Sequence, residues 1–477
     1  MKEKPFIHLL KSPYHCYIFD INTNSIVRVS DELYSYLQAE QKGIAPPLLS
    51  AQANEERGRL EENGYLKTKH PIKMENPQWK NIDYLINHHM GQLILQVTQQ
   101  CNFRCSYCAY TTGDDSVQRG HSNKRMSWKT AKAAIDFWAD RIRHSAHPSV
   151  SFYGGEPLLE WPLIQKCIEY AKEKAEGKKI SFNMTTNATL LTTEMARFFV
   201  REHVSLMISL DGPKEIHDRN RRFASNGEGT FDSVVSVLET MKREVPGFQQ
   251  LLSYNSVVDP CTSTNCISSF FAQIESDQKM PSLLSPPPGT RLWFSDDYSM
   301  ENREAGLMAL LHHQEIIPLE KLDMFSISQV EAIDKQAKLM IPIQELPDCT
   351  GHAGPCIPGV RRLFVSVDGT FFPCERCSET SDNMNIGNLS DGFDMEQIGR
   401  LMNISSVTED KCKNCWALSL CSACAVVVDS EKERFSADAV YAKCGSIRSE
   451  AEWKLKNLIA LDETKDMGKT FVEGERV

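Results

Sequence analysis

Three cysteines in the run CNFRCSYC, Cys101, Cys105 and Cys108, have the spacing that most directly indicates chemistry in this 477-residue chain. An alternating apolar run at residues 93–97 predicts a strand. The triplet then lies on the loop leaving a strand end, where parallel α/β sheets place their active sites. Three thiolates can hold three irons of a cubane cluster and leave the fourth iron open to a small chelating ligand. Half of a zinc site and reduced core cysteines are the alternative interpretations.

The triplet resembles the signature of the radical S-adenosylmethionine (SAM) superfamily, and Tyr107 stands at the aromatic position before the third cysteine. The resemblance implies that the three cysteines bind a [4Fe–4S] cluster whose open iron is chelated by the amino and carboxylate groups of SAM. It also implies that the reduced cluster cleaves SAM and releases a 5′-deoxyadenosyl radical.

Motifs after the next two predicted strands resemble SAM-binding motifs of the same superfamily. Gly154, Gly155 and Glu156 match its GGE motif, whose backbone carbonyls and carboxylate hold the SAM ammonium. An ordinary glycine turn is the alternative, but the position after the second strand favours SAM binding. Asn187, in TTNAT, matches the TNG motif, although Ala188 replaces the glycine.

The fourth predicted strand and the segment after it complete the expected SAM site. Ser209 lies in ISLDG at the strand end, and Arg221 lies in HDRNR, which resembles the family pattern HDxxR. The guanidinium fork of Arg221 suits the SAM carboxylate because it can meet both oxygens. Arg222 is the competing candidate for this contact, and we expect His217 to be structural.

Alternating strands and helices predict the scaffold for these motifs. Six strands, at residues 93–97, 150–153, 180–184, 204–210, 251–258 and 292–294, alternate with helical patterns, which gives a parallel sheet. The pattern resembles the partial (β/α)6 TIM-type barrel of radical SAM enzymes, open on one side. We expect domains at 1–88, 89–300 (the barrel), 301–347 (a helical bridge) and 348–477.

The N-terminal domain is predicted to contain strands at 6–10, 16–20 and 26–29 and helices at 31–41 and 51–63. This order predicts a winged-helix-like module. It resembles the precursor-peptide recognition domain of peptide-modifying radical SAM enzymes, which would bind an extended leader peptide at a sheet edge. A cap on the barrel with no binding role is the alternative.

Nine of the sixteen cysteines fall between residues 349 and 444. Their pattern, with a hairpin around Asp368-Gly369, resembles the SPASM domain, whose seven cysteines bind two auxiliary [4Fe–4S] clusters. The resemblance assigns Cys356, Cys374 and Cys424 to the first cluster, although Cys424 follows Cys421 after two residues where the family usually has three. It assigns the second cluster to Cys412, Cys415, Cys421 and Cys444.

Two questions about these cysteines stay open in the sequence. Cys349 could complete the first auxiliary cluster, and the unassigned Cys377 could compete with Cys374 or Cys349. A structural zinc site from Cys412 to Cys424 is the alternative to iron–sulfur clusters. Glu375 directly follows Cys374, and in anaerobic sulfatase maturases, a related SPASM family, an aspartate at the matching position acts as a base. Glu375 is therefore the catalytic candidate, and a solvated hairpin carboxylate is the alternative.

Composition limits the partners and the location that we expect. A formal net charge of −10 and the lack of a basic run argue against nucleic acid. No apolar window approaches a membrane span, and the polar start MKEKPFIHLLKS does not resemble a signal peptide. Sixteen cysteines without an export signal favour metal over disulfides, so we expect a cytoplasmic protein.

The combined features resemble radical SAM/SPASM maturases that form thioethers in ribosomally made peptides, namely sactipeptide and ranthipeptide maturases. The run Cys-Ile-Pro-Gly, the Val-Asp-Gly turn and Pro-Cys-Glu are most similar to the six-cysteine ranthipeptide maturases of the freyrasin type. The resemblance implies SAM, three [4Fe–4S] clusters, a leader-bearing precursor peptide and an electron donor such as flavodoxin or ferredoxin. The alternatives are a sulfatase-maturase-type enzyme that makes formylglycine, and a non-catalytic iron–sulfur or zinc scaffold.

Overall fold

The computed structural model describes residues 4–108, 110, 120–274, 279–283, 293–352, 356–429 and 435–474. The elements before the barrel are β1 (Ile7–Lys11), β2 (Cys16–Asp20), β3 (Ser25–Val29), α1 (Asp31–Lys42), α2 (Ala51–Glu62), β4 (Lys73–Met74) and α3 (Ile82–His88). Strands β1, β2 and β3 form an antiparallel sheet in chain order. The predicted three strands and two helices are confirmed, with each end within one residue.

Serine caps and a buried carboxylate explain this local structure. Ser30 and Ser50 precede α1 and α2, and each hydroxyl accepts from the backbone N–H three residues on. Asp20, at the end of β2, accepts from the backbone N–H groups of Thr23 at 2.9 Å and Leu66 at 2.8 Å. This carboxylate closes the β2–β3 turn and ties it to the chain after α2.

Strand–helix alternation builds the barrel. Its elements are β5 (Gln92–Thr98), α4 (Trp128–Ala139), β6 (Ser149–Gly154), α5 (Trp161–Lys174), β7 (Ser181–Thr186), α6 (Thr193–Glu202), β8 (Val204–Ser209), α7 (Lys214–Asn220), α8 (Phe231–Glu244), β9 (Leu252–Val258), α9 (Thr264–Phe271) and β10 (Lys279–Leu283). The strands keep chain order in space, and every neighbouring pair from β5 to β10 is parallel. The expected partial barrel of six parallel strands is confirmed.

The barrel sheet has an apolar face under the helices and a polar opposite face. Phe182 and Met184 of β7 are buried in the main core, whereas Ser181, Asn183 and Thr185, which alternate with them, are partly or fully exposed. Successive side chains of a strand point to opposite faces, so the strand register places Ser151 and Ser205 beside Asn183 on this face, where Ile94 and Met207 also lie. We call this face the lumen and define it by Gln92, Ser151, Asn183, Thr185 and Ser209.

The sixth strand lies earlier in the chain than predicted. Of the predicted segment 292–294, residue 292 lies outside the described residues, and Trp293 and Phe294 are not in a strand and are 77% and 46% exposed. Strand β10 instead pairs in parallel with β9. Its sequence KMPSL gives no alternating apolar signal, and Pro281 is tolerated because β10 is the edge of the sheet.

The remaining elements follow the barrel. They are α10 (Asp296–His313), α11 (Met324–Leu339), β11 (Cys349–Thr350), β12 (Arg362–Val365), β13 (Phe371–Phe372), β14 (Gly387–Asn388), β15 (Gly392–Phe393), α12 (Met395–Met402), α13 (Glu409–Cys412), α14 (Ala425–Val428) and α15 (Ala437–Gly474). The two bridging helices and the β12–β13 hairpin around Asp368 and Gly369 are confirmed. Leu455 and Ile459 of α15 pack with Tyr17 and Phe19 of β2, which attaches the C-terminal helix to the N-terminal sheet.

The C-terminal hairpin also belongs to the barrel sheet. Strand β12 pairs in parallel with β5, with Arg362 opposite Gln92 and Val365 opposite Leu95. The sheet order is therefore β10-β9-β8-β7-β6-β5-β12-β13, and it crosses the predicted boundary between barrel and C-terminal region. In the part of the chain that the structure describes, no helix combines the length and the apolar character needed to cross a membrane.

Candidate functional site

The cysteine triplet lies on the loop that leaves β5, and neighbouring backbone holds this loop in place. The backbone N–H of Arg104 donates to the carbonyl of Arg222 at 2.8 Å. Phe103 is buried edge-to-face against Phe223, with ring centroids 5.3 Å apart. The loop that carries Cys101 is therefore fixed to the segment after α7.

The donor set of this loop fits a cubane cluster with one open iron. Burial, with the nearby charge of Glu156, raises the pKa of Cys101 to about 12, and burial raises the pKa of Cys105 to about 11 against the opposing charge of Arg221. The thiols are therefore protonated without metal, and metal binding would release these protons. Within the described ranges, no group of three or more His, Cys, Asp or Glu side chains is arranged to hold a single metal ion.

The GGE turn packs directly against the triplet loop. The backbone N–H of Gly155 donates to the carbonyl of Thr98 at 3.0 Å. A Cβ on Gly154 would lie 2.2 Å from the Thr98 oxygen, and a Cβ on Gly155 would lie 2.1 Å from the Gln100 oxygen and 3.0 Å from Cβ of Cys101. The two glycines are therefore required by the close approach of the protein's own backbone.

Glu156 is enclosed by protein donors. It is 1% exposed, and its carboxylate accepts from the backbone N–H of Leu158 at 3.0 Å, from Oγ1 of Thr186 at 2.6 Å and from the backbone N–H of Asn187 at 2.8 Å. Burial raises its pKa and these donors oppose that shift. Glu156 thus joins the ends of β6 and β7. Its expected contact with the SAM ammonium stays a prediction.

Asn187 connects the end of β7 to the triplet. Its Nδ2 donates to Oδ1 of Asn102 at 2.8 Å and lies 4.0 Å from Sγ of Cys101. Its Oδ1 accepts from Oγ1 of Thr189 at 2.7 Å. Ala188 is fully buried at φ 66°, so this alanine occupies the left-handed conformation that explains the glycine of the family pattern.

Behind the second cysteine lies a buried network of charged and aromatic residues. Arg221 donates from Nε and a terminal nitrogen to the two oxygens of Asp211, at 3.0 and 2.9 Å, and its guanidinium lies 5.4 Å from the Tyr107 ring centroid. The Tyr107 hydroxyl also donates to Asp211. Burial would lower the Arg221 pKa, but the charge of Asp211 raises it well above its ordinary value. Arg221 is therefore a permanent cation beside Cys105.

The rest of the HDRNR motif is structural. His217 is fully buried, with Nδ1 accepting from the backbone N–H of Asp211 at 3.3 Å and Nε2 at 3.0 Å from Oγ1 of Thr230. The expectation that His217 is structural agrees with these contacts. Thr230 occupies the cap position of α8 without a capping hydrogen bond from its side chain, and Asp218 accepts from the backbone N–H groups of Thr230 and Phe231, at 2.7 and 2.8 Å.

The two remaining SAM-site candidates differ in their surroundings. Ser209 ends β8 and is partly exposed on the lumen side. Arg222 is exposed and donates to the carbonyl of Gly227 at 3.0 Å, so it points away from the buried network. Of the two guanidinium groups, that of Arg221 lies beside Cys105, whereas Arg222 contacts the triplet loop through its backbone carbonyl.

The four cysteines assigned to the second auxiliary cluster line one cavity. Cys412, Cys415, Cys421 and Cys444 surround it with His352, and its other lining includes Ala417, Leu418 and Val440. Burial raises the pKa of Cys421 to about 11. Four thiols that converge in an apolar cavity are a donor set that fits an iron–sulfur cluster.

The cysteines assigned to the first auxiliary cluster are less closely grouped. Cys374 and Cys377 approach each other with sulfurs 3.8 Å apart, and the contact with Cys377 lowers the Cys374 pKa to about 7. Cys349 instead lies 3.8 Å from the carbonyl oxygen of Glu75. Exposed Cys356 has its sulfur 3.5 Å from a terminal nitrogen of Arg361. Cys424 precedes α14 and is partly buried.

Glu375 forms an ion pair with Arg362 at 2.7 Å. Its second oxygen is buried without a hydrogen-bond partner among the described residues. Since Arg362 is opposite Gln92, the first residue of β5, this ion pair lies at the end of the sheet away from the triplet. The base role of Glu375 stays a prediction.

Sequence reasoning missed a polar contact between the hairpin region and the triplet strand. Glu379 accepts from Nε2 of Gln96 at 2.6 Å and from Nε2 of Gln99 at 3.2 Å, and Gln96 also donates to the Tyr110 hydroxyl at 2.9 Å. Oε1 of Gln96 accepts from the backbone N–H of Val367 at 3.0 Å. The only sequence signal is Gln96 itself, a polar residue inside the apolar run of β5.

Comparison with known proteins agrees with this arrangement. Residues 95–260 match the Radical SAM superfamily. The matched segment spans about a third of the chain. It contains the triplet, the GGE turn, Asn187, Ser209 and Arg221.

Three curated relatives are similar to parts of this chain. An uncharacterized protein of Methanocaldococcus jannaschii is 32% identical over 33% of this chain and 51% of its own length. The radical SAM cyclopropyl synthase TigE of Paramaledivibacter caminithermalis is 22% identical over 69% of this chain and 66% of its own. The cysteine-type anaerobic sulfatase-maturating enzyme of Clostridium perfringens is 24% identical over 78% of this chain and 97% of its own. The chain thus spans about half of the length of the first relative and about two thirds of the length of the second.

A solved structure, native anSMEcpe with bound AdoMet and Kp18Cys peptide, has the same fold. Its TM-score is 0.57 at 19% identity, and the match covers 78% of this chain and 99% of that one. The cysteine-rich C-terminal region of this chain fits a SPASM-like domain.

Proposed function

We propose that this radical SAM chain is a peptide maturase that forms thioether crosslinks between a cysteine sulfur and a carbon of an acceptor residue in a ribosomally made precursor peptide. The observation that carries the proposal is a polar lumen beside the triplet in a chain that also has an N-terminal sheet with unpaired edges. The lumen would accept the peptide core, and the sheet would bind the leader.

The lumen suits an extended peptide because polar side chains on this face of the sheet form hydrogen bonds. Gln92 donates from Nε2 to Oγ of Ser151 at 2.5 Å, and Ser151 donates to Oδ1 of Asn183 at 2.5 Å, across three neighbouring strands. Asn183 and Thr185 remain partly exposed toward the lumen. Such groups can exchange hydrogen bonds with a peptide backbone.

The N-terminal sheet supports leader binding through its edges. Among the described residues, β1 and β3 each pair only with β2. An extended peptide can add to such an edge through main-chain hydrogen bonds, with side-chain pockets giving specificity. The sheet is firmly attached to the rest of the chain because β2 packs against α15.

The proposed chemistry divides between cofactors and side chains. When bound, SAM and the triplet cluster supply a 5′-deoxyadenosyl radical that removes one hydrogen from the acceptor carbon, while two auxiliary clusters at the C-terminal cysteines provide an electron acceptor. The new C–S bond replaces that C–H bond and the thiol S–H bond, so the thiol proton needs an acceptor. We propose the Glu375 carboxylate for this role; it lies at the end of the sheet away from the triplet, where its second oxygen has no hydrogen-bond partner among the described residues. A flavodoxin or ferredoxin would provide the activating electron.

Co-expression with a short cysteine-rich precursor peptide tests this function. Tandem mass spectrometry should show the loss of two hydrogens per crosslink and a fragmentation gap between the joined residues. The variant with Cys101, Cys105 and Cys108 replaced by alanine should leave the peptide unchanged. A leaderless peptide should bind more weakly than the full precursor; equal turnover of both would reject leader recognition.

Formylglycine formation on a cysteine or serine is the second candidate function. It is favoured by the match to nearly the whole sulfatase-maturating enzyme of Clostridium perfringens. A sulfatase-derived peptide incubated with the reconstituted protein should then gain an aldehyde that reacts with hydrazide reagents. An aldehyde product without a crosslink would replace the thioether proposal. A protein that holds clusters but never cleaves SAM would be an electron-transfer scaffold.

A further inference from the structure

The cavity of the second cysteine set contains a side chain that the cysteine pattern does not include. His352 lies in this cavity with Cys412, Cys415, Cys421 and Cys444. It is 7% exposed, and its Nε2 is 3.6 Å from Sγ of Cys412. Its Nδ1 is buried with no hydrogen-bond partner among the described residues.

The backbone before His352 fixes its position. Cys349 and Thr350 form β11, which pairs in parallel with β4, and the N–H of Glu75 donates to the carbonyl of Thr350 at 3.0 Å. A Cβ on Gly351 would lie 3.3 Å from Cα of Asn76, so this segment runs close to the chain after β4. The imidazole is therefore presented to the cavity from an anchored strand.

The hydrogen-bonding capacity of Cys412 determines the direction of the contact. A metal-bound cysteine sulfur carries no proton and can only accept, so the ring must donate from Nε2. Nδ1 then carries the lone pair, which agrees with the lack of an acceptor beside it among the described residues. Thr408, with Oγ1 3.0 Å from the same sulfur, is a second donor.

We propose that His352 is a positioning residue of the second auxiliary cluster, where its Nε2–H donates to the Cys412 sulfur and raises the cluster reduction potential. The inference rests on the proposed auxiliary clusters. Hydrogen bonds to cluster sulfurs stabilise the more negative reduced state, which is how they shift the potential. His352 therefore supplements the cysteines without replacing one as a ligand.

Redox titration monitored by electron paramagnetic resonance tests this role in full-length protein with the triplet cysteines replaced by alanine, so that only auxiliary clusters contribute. His352→Phe removes the donor and retains an apolar ring, and we expect one of the two auxiliary signals to shift to lower potential. His352→Gln retains an N–H and should keep the reduction potential close to that of the parent protein. Thr408→Val should lower the reduction potential of the same signal. Electron–nuclear double resonance should also show an exchangeable proton that is lost in His352→Phe.

Each other result counts against the proposal. Unchanged potentials in His352→Phe with unchanged iron content would overturn it while leaving the clusters in place. An equal shift in His352→Gln and His352→Phe would indicate a packing effect and would also overturn it. Protein that binds zinc and no iron would overturn both this inference and the proposed function. If His352→Phe does not fold, His352→Leu takes its place as the variant without a donor, and a potential equal to that of the parent protein would overturn the proposal.

Discussion

Arg221 and Asp211 form a bidentate ion pair that is almost completely buried, with side chains 8% and 1% exposed. The pair holds the Tyr107 hydroxyl and places a cation beside Cys105. It therefore links the triplet loop to the end of β8 and to the segment after α7.

Replacing Asp211 by asparagine should be strongly destabilising, because it leaves the Arg221 guanidinium buried without its counter-charge. We expect a loss of about 3–5 kcal/mol in the free energy of unfolding, measured by urea denaturation. The matched control is Asp368→Asn, which breaks the Lys124–Asp368 pair, whose side chains are 59% and 61% exposed. That variant should unfold almost like the parent. Equal stability of Asp211→Asn and the parent would contradict the structural role of the pair.

Gly155→Ala should disturb the triplet loop. The added Cβ would lie 2.1 Å from the backbone oxygen of Gln100, and backbone cannot yield as a flexible side chain does. We expect a loss of about 1–3 kcal/mol in stability and loss of the triplet-cluster signal after anaerobic reconstitution. Gly306→Ala is the control, because α10 offers open space there; it should stabilise the chain by about 0.5–1 kcal/mol. A Gly155→Ala protein with normal stability and cluster would contradict the close packing.

The first auxiliary site should depend more on Cys377 than on Cys349. The sulfurs of Cys374 and Cys377 are 3.8 Å apart, whereas the Cys349 sulfur contacts Glu75. We expect Cys377→Ala to lower the iron content of anaerobically purified protein and Cys349→Ala to leave it nearly unchanged. The reverse order would support the assignment of Cys349 to the first cluster. Loss of iron in both variants would indicate that both residues support the site.

The free energy of unfolding should fall in mild acid because the buried His217 resists protonation in the folded state. Burial lowers its folded-state pKa to about 4 from an unfolded value of 6.5. Between those pH values the unfolded chain binds the extra proton, so stabilisation present above pH 6.5 is lost as the pH falls toward about 4, up to about 3 kcal/mol. His217→Gln should show a smaller decrease in urea denaturation midpoints between about pH 7 and about pH 5. An equal decrease in the parent protein and in His217→Gln would contradict the assignment of this loss of stability to His217.

The local parts of the site are predictable from sequence because each depends on a short pattern. Alternation at residues 93–97 locates β5 and therefore the triplet at its end. Gly154-Gly155 indicates a close approach, although the approaching group is the protein's own backbone at Thr98 and Gln100.

The long-range parts are not predictable in this way. Pairing of β12 with β5, the contact of Glu379 with Gln96, and His352 in the second cysteine cavity all join segments far apart in sequence. Their composition carries no periodic signal. Strand β10 is missed because an edge strand that contains Pro281 lacks the apolar alternation of central strands.

Pairing between β5 and β12 has a consequence for biosynthesis. On the ribosome, the strand that leads into the triplet cannot gain its second neighbour until residues 362–365 have emerged. Until then the nascent half-barrel exposes an unpaired strand edge, which favours association with other chains. Iron delivery to the triplet would then follow the emergence of β12, and fragments that stop near residue 300 should aggregate instead of folding independently.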